Sequence, residues 1–482
     1  MDPQIPFGGR ISGARLATLL GEWRRRGSRQ GAADLAAAVE LHVLDGQLPI
    51  GTRLPAEREL ADELGVSRTL IGAALDRLRE DGLIASRRGA GSWVAATGHR
   101  EAGSSARDDL LDLARAAPAA LPGMLAAVDT ARRELADHLT GNGYLTGGLP
   151  RLRERIAERY VARGLPTTPE QIMVTSGAYS AFVLCLRMLA GPGDRVLVEQ
   201  PTYPNAIDAV RATHALPVPV ALDPVRGWDP VGIEAAVRQA APRVGYLVVD
   251  FQNPTGLRMD AAGRERLGGL LARSRTPVVV DESLVELDYE GDPVNGPPPL
   301  AAFAGDLALT VGSAAKSQWG GLRLGWIRAS SELLDRLLSP RFAVDLGAPV
   351  FDQLVLAELL EPDGYAALAR RRVELREQRD TLAAALRTHC PEWTFELPAG
   401  GLSLWCRLPE PMSTRLAVSA ANHGVQLAPG SRFGVHGGLE RWLRLPFGLP
   451  REQLVEAVRR VSAAAASVRG RADVPAGQVP VT

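Results

Sequence analysis

The 482-residue sequence predicts two architectures in one chain: an α+β helix-turn-helix with a β-wing, then an α/β domain with a large, mostly parallel sheet and a smaller C-terminal subdomain. Three observations carry that prediction. Up to Ile84 the apolar residues recur at helical spacing alone. Farther on, short Val/Leu runs alternate with helical stretches, the pattern of parallel strands covered by helices. Between the two, Ala95 to Asp109 is polar and rich in small residues, the composition of a linker. The expected boundaries are 1–94, a linker over 95–109, a domain over 110–468 whose small subdomain begins at roughly 345, and a loose tail over 469–482.

In the first module, Leu35, Val39, Val43 and Leu44 share one helical face, and Gly46 ends the run. Pro55 marks the start of a second helix, with Leu60 and Leu64 on one face and Gly65 as its stop. Ser67 is placed to cap a third helix, whose core face is Ile71, Leu75 and Leu78 and which Gly82 closes. Two helices joined by so short a turn form a helix-turn-helix, whose second helix enters the major groove. Residues 83–94 then give two short extended runs around a basic Gly-x-Gly tip, a wing.

Those residues resemble the winged-helix domain of the GntR family of transcription regulators. The resemblance rests on Arg53-Leu54-Pro55-Ala56-Glu57-Arg58-Glu59-Leu60-Ala61, on Leu64-Gly65-Val66-Ser67-Arg68-Thr69 and on the wing, in that order. It implies that Arg58 and Arg68 approach bases or phosphates, that Ser67 and Thr69 bond phosphate oxygens, and that Gly89 brings the wing tip close to the duplex. Leu70 and Gly72 stand where polar or basic residues are common. Charge agrees locally: Arg87 and Arg88 are free of neighbouring acids, while Asp62 and Glu63 fall on the other helix. A small helical domain that binds protein is the alternative.

In the second module the apolar runs are 195–200, 244–250, 276–282 and 307–313. Ligands of open α/β sheets sit at the carboxyl ends of the strands. There the sequence places Glu199, Pro201 and Tyr203; Asp250 and Asn253-Pro254-Thr255-Gly256; Asp281; and Ser313 with Lys316. These are expected to line one cleft. Thr175-Ser176-Gly177-Ala178 opens an apolar helix over 179–190, so backbone N–H groups and the helix dipole face an anion there. Gly320-Gly321 supplies the turn into a strand from Leu322 to Ile327, and Arg323 adds a further donor.

Lys316 stands out by arithmetic. Lysine and arginine together number 55, equal to aspartate and glutamate, and Lys316 is the single lysine among them. Codon bias accounts for arginine wherever charge alone is needed. Guanidinium stays protonated, whereas a desolvated lysine can lose its proton and act as a nucleophile. An amine, an anion cradle, an aspartate and a flat aromatic together describe a site for pyridoxal phosphate.

The same residues resemble fold-type I aminotransferases over about 350 positions. That resemblance implies Lys316 as the Schiff-base lysine and Asp281 as the partner of the pyridine nitrogen. Asn253 would bond the ring hydroxyl and Tyr203 would stack on the ring. Ser176, Gly177, Ala178, Ser313 and Arg323 would hold the phosphate. Arg444, within Leu443-Arg444-Leu445-Pro446-Phe447, would grip a substrate carboxylate, and Tyr144 resembles the tyrosine donated across a dimer. Leu284 occupies the position of a tyrosine that many relatives direct at the ring hydroxyl.

A GntR-type winged helix ahead of an aminotransferase-like domain resembles the MocR group of regulators. The resemblance implies a homodimer on a double-stranded DNA operator with two half-sites, responding to a small amine, an amino acid or pyridoxal phosphate itself. A working aminotransferase with a tethered DNA-binding domain is the rival, and a regulator sensing without the cofactor is a third option. Net charge is zero, so no bulk field favours nucleic acid or membrane. No apolar run reaches the roughly 18 residues of a membrane span, the N-terminus has no signal-peptide pattern, and the three cysteines lack metal-ligand or disulfide spacing. No metal and a cytoplasmic location are expected.

Overall fold

The computed structural model describes residues 9–20, 23, 31–44, 48–49, 51–80, 82–87, 91–95 and 110–469. Gly46, Arg88 and Gly89, the linker beyond Ala95 and the tail from 470 lie outside the described residues. The chain divides into two units, the described residues up to 110 with 414–424, and 111–413 with those from 425 onward.

The first unit contains helices α1 (Gly13–Leu20), α2 (Gly31–Leu44), α3 (Glu57–Leu64) and α4 (Arg68–Glu80), then strands β1 (Ile84–Arg87) and β2 (Gly91–Val94). Its core gathers Leu35, Val39, Leu60, Ile71, Leu75 and Leu78. The expected second helix starts at Glu57 instead of Pro55, because Ala56 keeps an extended backbone (φ −61°, ψ 146°). Gly65 ends α3 in the left-handed region (φ 63°), which costs a glycine little. Ser67 caps α4, its Oγ accepting from the backbone N–H of Leu70 at 3.2 Å. The wing is an antiparallel hairpin pairing Ile84 with Val94 and Arg87 with Gly91.

Strands of the second unit are β3 (Leu111–Leu113), β4 (Ile172–Thr175), β5 (Arg195–Gln200), β6 (Leu216–Asp223), β7 (Gly227–Trp228), β8 (Val244–Leu247), β9 (Val278–Asp281), β10 (Ala308–Ser313), β11 (Gly325–Arg328), β12 (Ser403–Arg407), β13 (Val425–Pro429) and β14 (Trp442–Pro446). Eight form the large sheet in the order β4-β11-β10-β9-β8-β5-β6-β7, with parallel pairing from β10 through β6. Both faces are covered: Val278 and Val280 enter one apolar cluster and Val279 the other. Burial on both sides is why these strands read as unbroken apolar runs.

Two strand ends differ from expectation. β8 stops at Leu247 because the carboxylate of Glu199 takes the Val248 N–H at 3.1 Å. β11, the strand after Lys316, begins at Gly325, not Leu322, because residues 320–322 form a 3₁₀ turn and Arg323 adopts φ 53°. The small sheet runs β12-β14-β13-β3, so its edge strand comes from Leu111–Leu113, parallel to β13.

Candidate functional site

Sheet register assembles the anion cradle. Ser313 pairs with Gly325, and Gly325 pairs with Thr175, which brings the end of β10, Arg323 and the Ser176–Ala178 turn together. The helix Ala178–Leu189 begins there, with Gly177 as its N-cap at φ 99°. A Cβ on Gly325 would lie 2.6 Å from the Ala178 nitrogen, and one on Gly177 would lie 3.7 Å from Arg323 Nη2. Arg323 forms no ion pair among the described residues. Bare N–H groups, a guanidinium, Ser313, a left-handed Gly177 and a Gly325 with no room for a side chain suit a phosphate.

Lys316 lies in a single π-helical turn, Ala315–Trp319, just after β10. Its Nζ donates to the backbone carbonyl of Ala116 at 2.7 Å. Burial, then the nearby Arg444 and Arg323, pull its pKa from 10.5 to about 8 against the opposing pull of Asp281. Asp281 is held by two donors: Ser283 N–H on Oδ1 at 2.9 Å and the Tyr246 hydroxyl on Oδ2 at 2.7 Å. Tyr246 was not singled out from sequence, because a tyrosine inside Val244–Leu247 reads as core. Its burial and the Asp281 charge raise its own pKa well above the ordinary value.

Arg444, on β14, is 6 % exposed and donates from Nη1 to Asn253 Oδ1 at 3.3 Å and from Nη2 to the Ala114 carbonyl. Its Nε has no partner, and its guanidinium lies 5.1 Å from the centre of the Phe433 ring. Burial lowers its pKa to about 10 while Tyr203 and Asp112 oppose that shift. Tyr203 is half-buried at the start of the helix Pro204–Ala212, its hydroxyl accepting from Asn205. Desolvation first, then Asp281, raises its pKa.

Lys316, Asp281, Tyr203, Asn253 and Arg444 thus surround one cleft beside the Ser176–Arg323 cradle. Two expected members do not serve it. Glu199 accepts from Trp228 Nε1, Val248 N and Gln252 Nε2, with burial raising its pKa to about 8. Asp250, fully buried, pairs with Arg264 at 2.6 Å. Both brace the strand ends from inside. Tyr144 is 63 % exposed. Leu284 is half-buried. The donors, amine and carboxylate fit pyridoxal phosphate. Sequence reasoning also missed the carbonyls of Ala114 and Ala116, since any residue supplies the same oxygen.

In the first unit, Arg58, Ser67, Arg68, Thr69 and Arg87 are exposed, and the three arginines form no ion pair among the described residues. They are open to phosphate or base edges.

Comparison with known proteins follows this division. The family model for class I and II aminotransferases matches residues 109–461, and that for bacterial regulatory proteins of the gntR family matches residues 32–94. Over 311 residues the chain is 32% identical to a 2-aminoadipate transaminase of Thermus thermophilus, spanning 63% of this chain and 78% of the relative. Over 431 residues it is 29% identical to the probable rhizopine catabolism regulatory protein MocR of Rhizobium meliloti, spanning 82% and 85%. Among solved structures, the α-aminoadipate aminotransferase LysN of Thermus thermophilus, complexed with N-(5′-phosphopyridoxyl)-L-leucine, matches with TM-score 0.69 and 30% identity over 75% of this chain and 94% of that one.

Proposed function

Because this chain belongs to the class I and II aminotransferase family and carries a gntR-family segment ahead of that domain, we propose that it is a transcription regulator that binds pyridoxal phosphate and responds to a small amino acid or amine. One observation carries the reading. Lys316 and Arg444, the two cations of the cleft, both hold backbone carbonyls of the segment 114–116. In the sequence, that segment follows the DNA-binding module with only the linker between.

When bound, the cofactor supplies an aldehyde that an incoming amine can engage and a ring that withdraws electrons. The chain's own residues do the rest. Ser176, Gly177, Ala178, Ser313 and Arg323 hold the phosphate, Asp281 faces the pyridine nitrogen, Asn253 the ring hydroxyl and Tyr203 the ring face. Arg444 binds the effector carboxylate in place of the Ala114 carbonyl, and Lys316 gives up the Ala116 carbonyl when its amine is engaged. Because the Lys316 amine is already engaged in the cofactor-loaded protein, effector displaces the Ala114 carbonyl from Arg444 and returns the lysine amine to the segment, and this exchange of contacts gives effector different affinities for two arrangements of the 111–121 segment, the condition for any population shift. On the DNA side, Arg58, Ser67, Arg68, Thr69 and Arg87, with Arg88 and Gly89, contact the duplex. A homodimer on two half-sites fits this reading, and the exposed Tyr144 is free to enter a second copy's cleft.

Hydrogen exchange of residues 111–121, read beside retention of operator DNA, tests the proposal. Effector should change exchange and DNA affinity together in the cofactor-loaded protein, and neither should change in Lys316→Ala. Steady conversion of amino acid and keto acid, with DNA affinity indifferent to effector, would favour a working aminotransferase instead.

A further inference from the structure

Apart from the cleft, the second unit contains a cavity of about 180 Å³ between the helix Pro150–Ala162, residues 282–294 and the helix Pro362–His389. It is smaller than the roughly 300–1,000 Å³ of sites for drug-sized ligands. Two of its lining side chains are deeply buried and incompletely satisfied. Arg163, 9 % exposed, donates from Nη1 to Glu282 Oε2 at 2.5 Å, yet its Nε and Nη2 have no hydrogen-bond partner. Nη2 faces Asp250 Oδ2, which has no hydrogen-bond partner, as an ion pair at 4.0 Å, beyond hydrogen-bond length. Glu282, 2 % exposed, has Oε1 without a partner.

Two further guanidiniums join them. Arg159 pairs with Glu286 and lies over the Tyr365 ring, and Arg372 donates to the Glu286 carbonyl at 2.8 Å. Burial is the main cause of a lowered pKa in Arg159. Ile156, Val285 and Trp326 supply apolar wall. The unmet groups are a donor and an acceptor on one ion pair, so their natural complement carries both an acceptor and a donor.

We propose that this cavity is a second ligand site, for a small zwitterion of the α-amino acid class with an apolar side chain. Its carboxylate bonds Arg163 Nε, its ammonium bonds Glu282 Oε1, and its side chain lies against Ile156, Val285 and Trp326. Glu282 directly follows Asp281, and Ser313 also lines the cavity, so an occupant lies beside two residues assigned to the cofactor. The inference needs neither DNA binding nor bound cofactor.

The test is calorimetric titration of L-valine into the full chain carrying Arg444→Ala, after borohydride reduction wherever cofactor is present, so that the first cleft offers neither an exchangeable aldehyde nor a carboxylate grip. Saturable binding of one L-valine per chain is expected, weakened at least tenfold by Arg163→Gln and by Glu282→Gln. Isovalerate and isobutylamine, each carrying half of the charge pattern, should bind at least tenfold more weakly than L-valine. Ala369→Trp, at an exposed position of the cavity lining, should block binding without touching the buried charges. It keeps the test decisive if a charge variant fails to fold. No saturable heat at millimolar L-valine, or binding indifferent to Ala369→Trp, overturns the proposal.

Discussion

Lys316 Nζ and the Ala116 carbonyl are joined by a 2.7 Å hydrogen bond, and two residues earlier the Ala114 carbonyl is held by Arg444. One short stretch of backbone therefore occupies one donor on each of the two groups that a ligand needs.

The depressed pKa of Lys316, from 10.5 to about 8, sets the pH at which its amine becomes nucleophilic. The neutral form is the reactive one, so cofactor capture should speed up as pH rises, with a midpoint near 8 and a plateau above about 9. At pH 7.5 about a quarter of the amine is neutral, against about 0.1% for an unshifted lysine. Stopped-flow absorbance of pyridoxal phosphate mixed with apo-protein measures this; a midpoint near 10.5 would contradict the burial that causes the shift.

Arg444→Ala should weaken carboxylate-bearing effectors by about 10- to 100-fold, the scale of a charge-assisted hydrogen-bonded pair. Arg444→Lys should recover little, since a point charge cannot make two parallel bonds. Amines without a carboxylate should bind as in the parent. Fluorescence titration of the cofactor-loaded variants separates these cases.

Tyr246→Phe removes one of the two donors on Asp281. A lost hydrogen bond to a charged group amounts to about 1.5–3 kcal/mol, so cofactor affinity should fall about tenfold or more, with a shifted visible maximum. Equal affinity and spectrum would show that Ser283 N–H alone fixes Asp281.

At Gly325, a methyl group would press against the Ala178 nitrogen and the Gly177 carbonyl carbon, each 2.6 Å away. Backbone cannot move aside as a side-chain tip can. Gly325→Ala should lower stability by about 1–3 kcal/mol and reduce affinity for inorganic phosphate, measured by urea unfolding and phosphate competition.

In the DNA-binding unit the two helix-α4 positions respond oppositely. A Cβ at Gly72 meets only Glu57 Oε2, at an ordinary 3.9 Å, so Gly72→Ala should raise stability by about 0.5–1 kcal/mol. Ser67→Ala deletes the cap on Leu70 N–H and should cost about 1 kcal/mol. Differential unfolding of the full chain, followed by the signal of Trp93 in the wing, reads both.

What the sequence determined was local chemistry at positions whose residue type is nearly forced. Ser67 and Gly65 bracket the turn because one must cap and the other must take a left-handed backbone, and Lys316 is the chain's single side-chain amine. Asp281 and Ser313 were legible because strands end where apolar runs meet polar residues. That same rule misassigned Glu199 and Asp250, since a strand-end carboxylate looks identical whether it faces a ligand or braces the neighbouring loop. Only the tertiary structure decided between those fates, by placing Trp228, Gln252 and Arg264 against them. It also decided which chain segment closes on Lys316, because a carbonyl oxygen carries no residue identity, and it joined Arg163 to Glu282, far apart in sequence. Register across β10, β11 and β4 did the rest, since spacing along a chain fixes which face a residue takes but not which strand lies beside it.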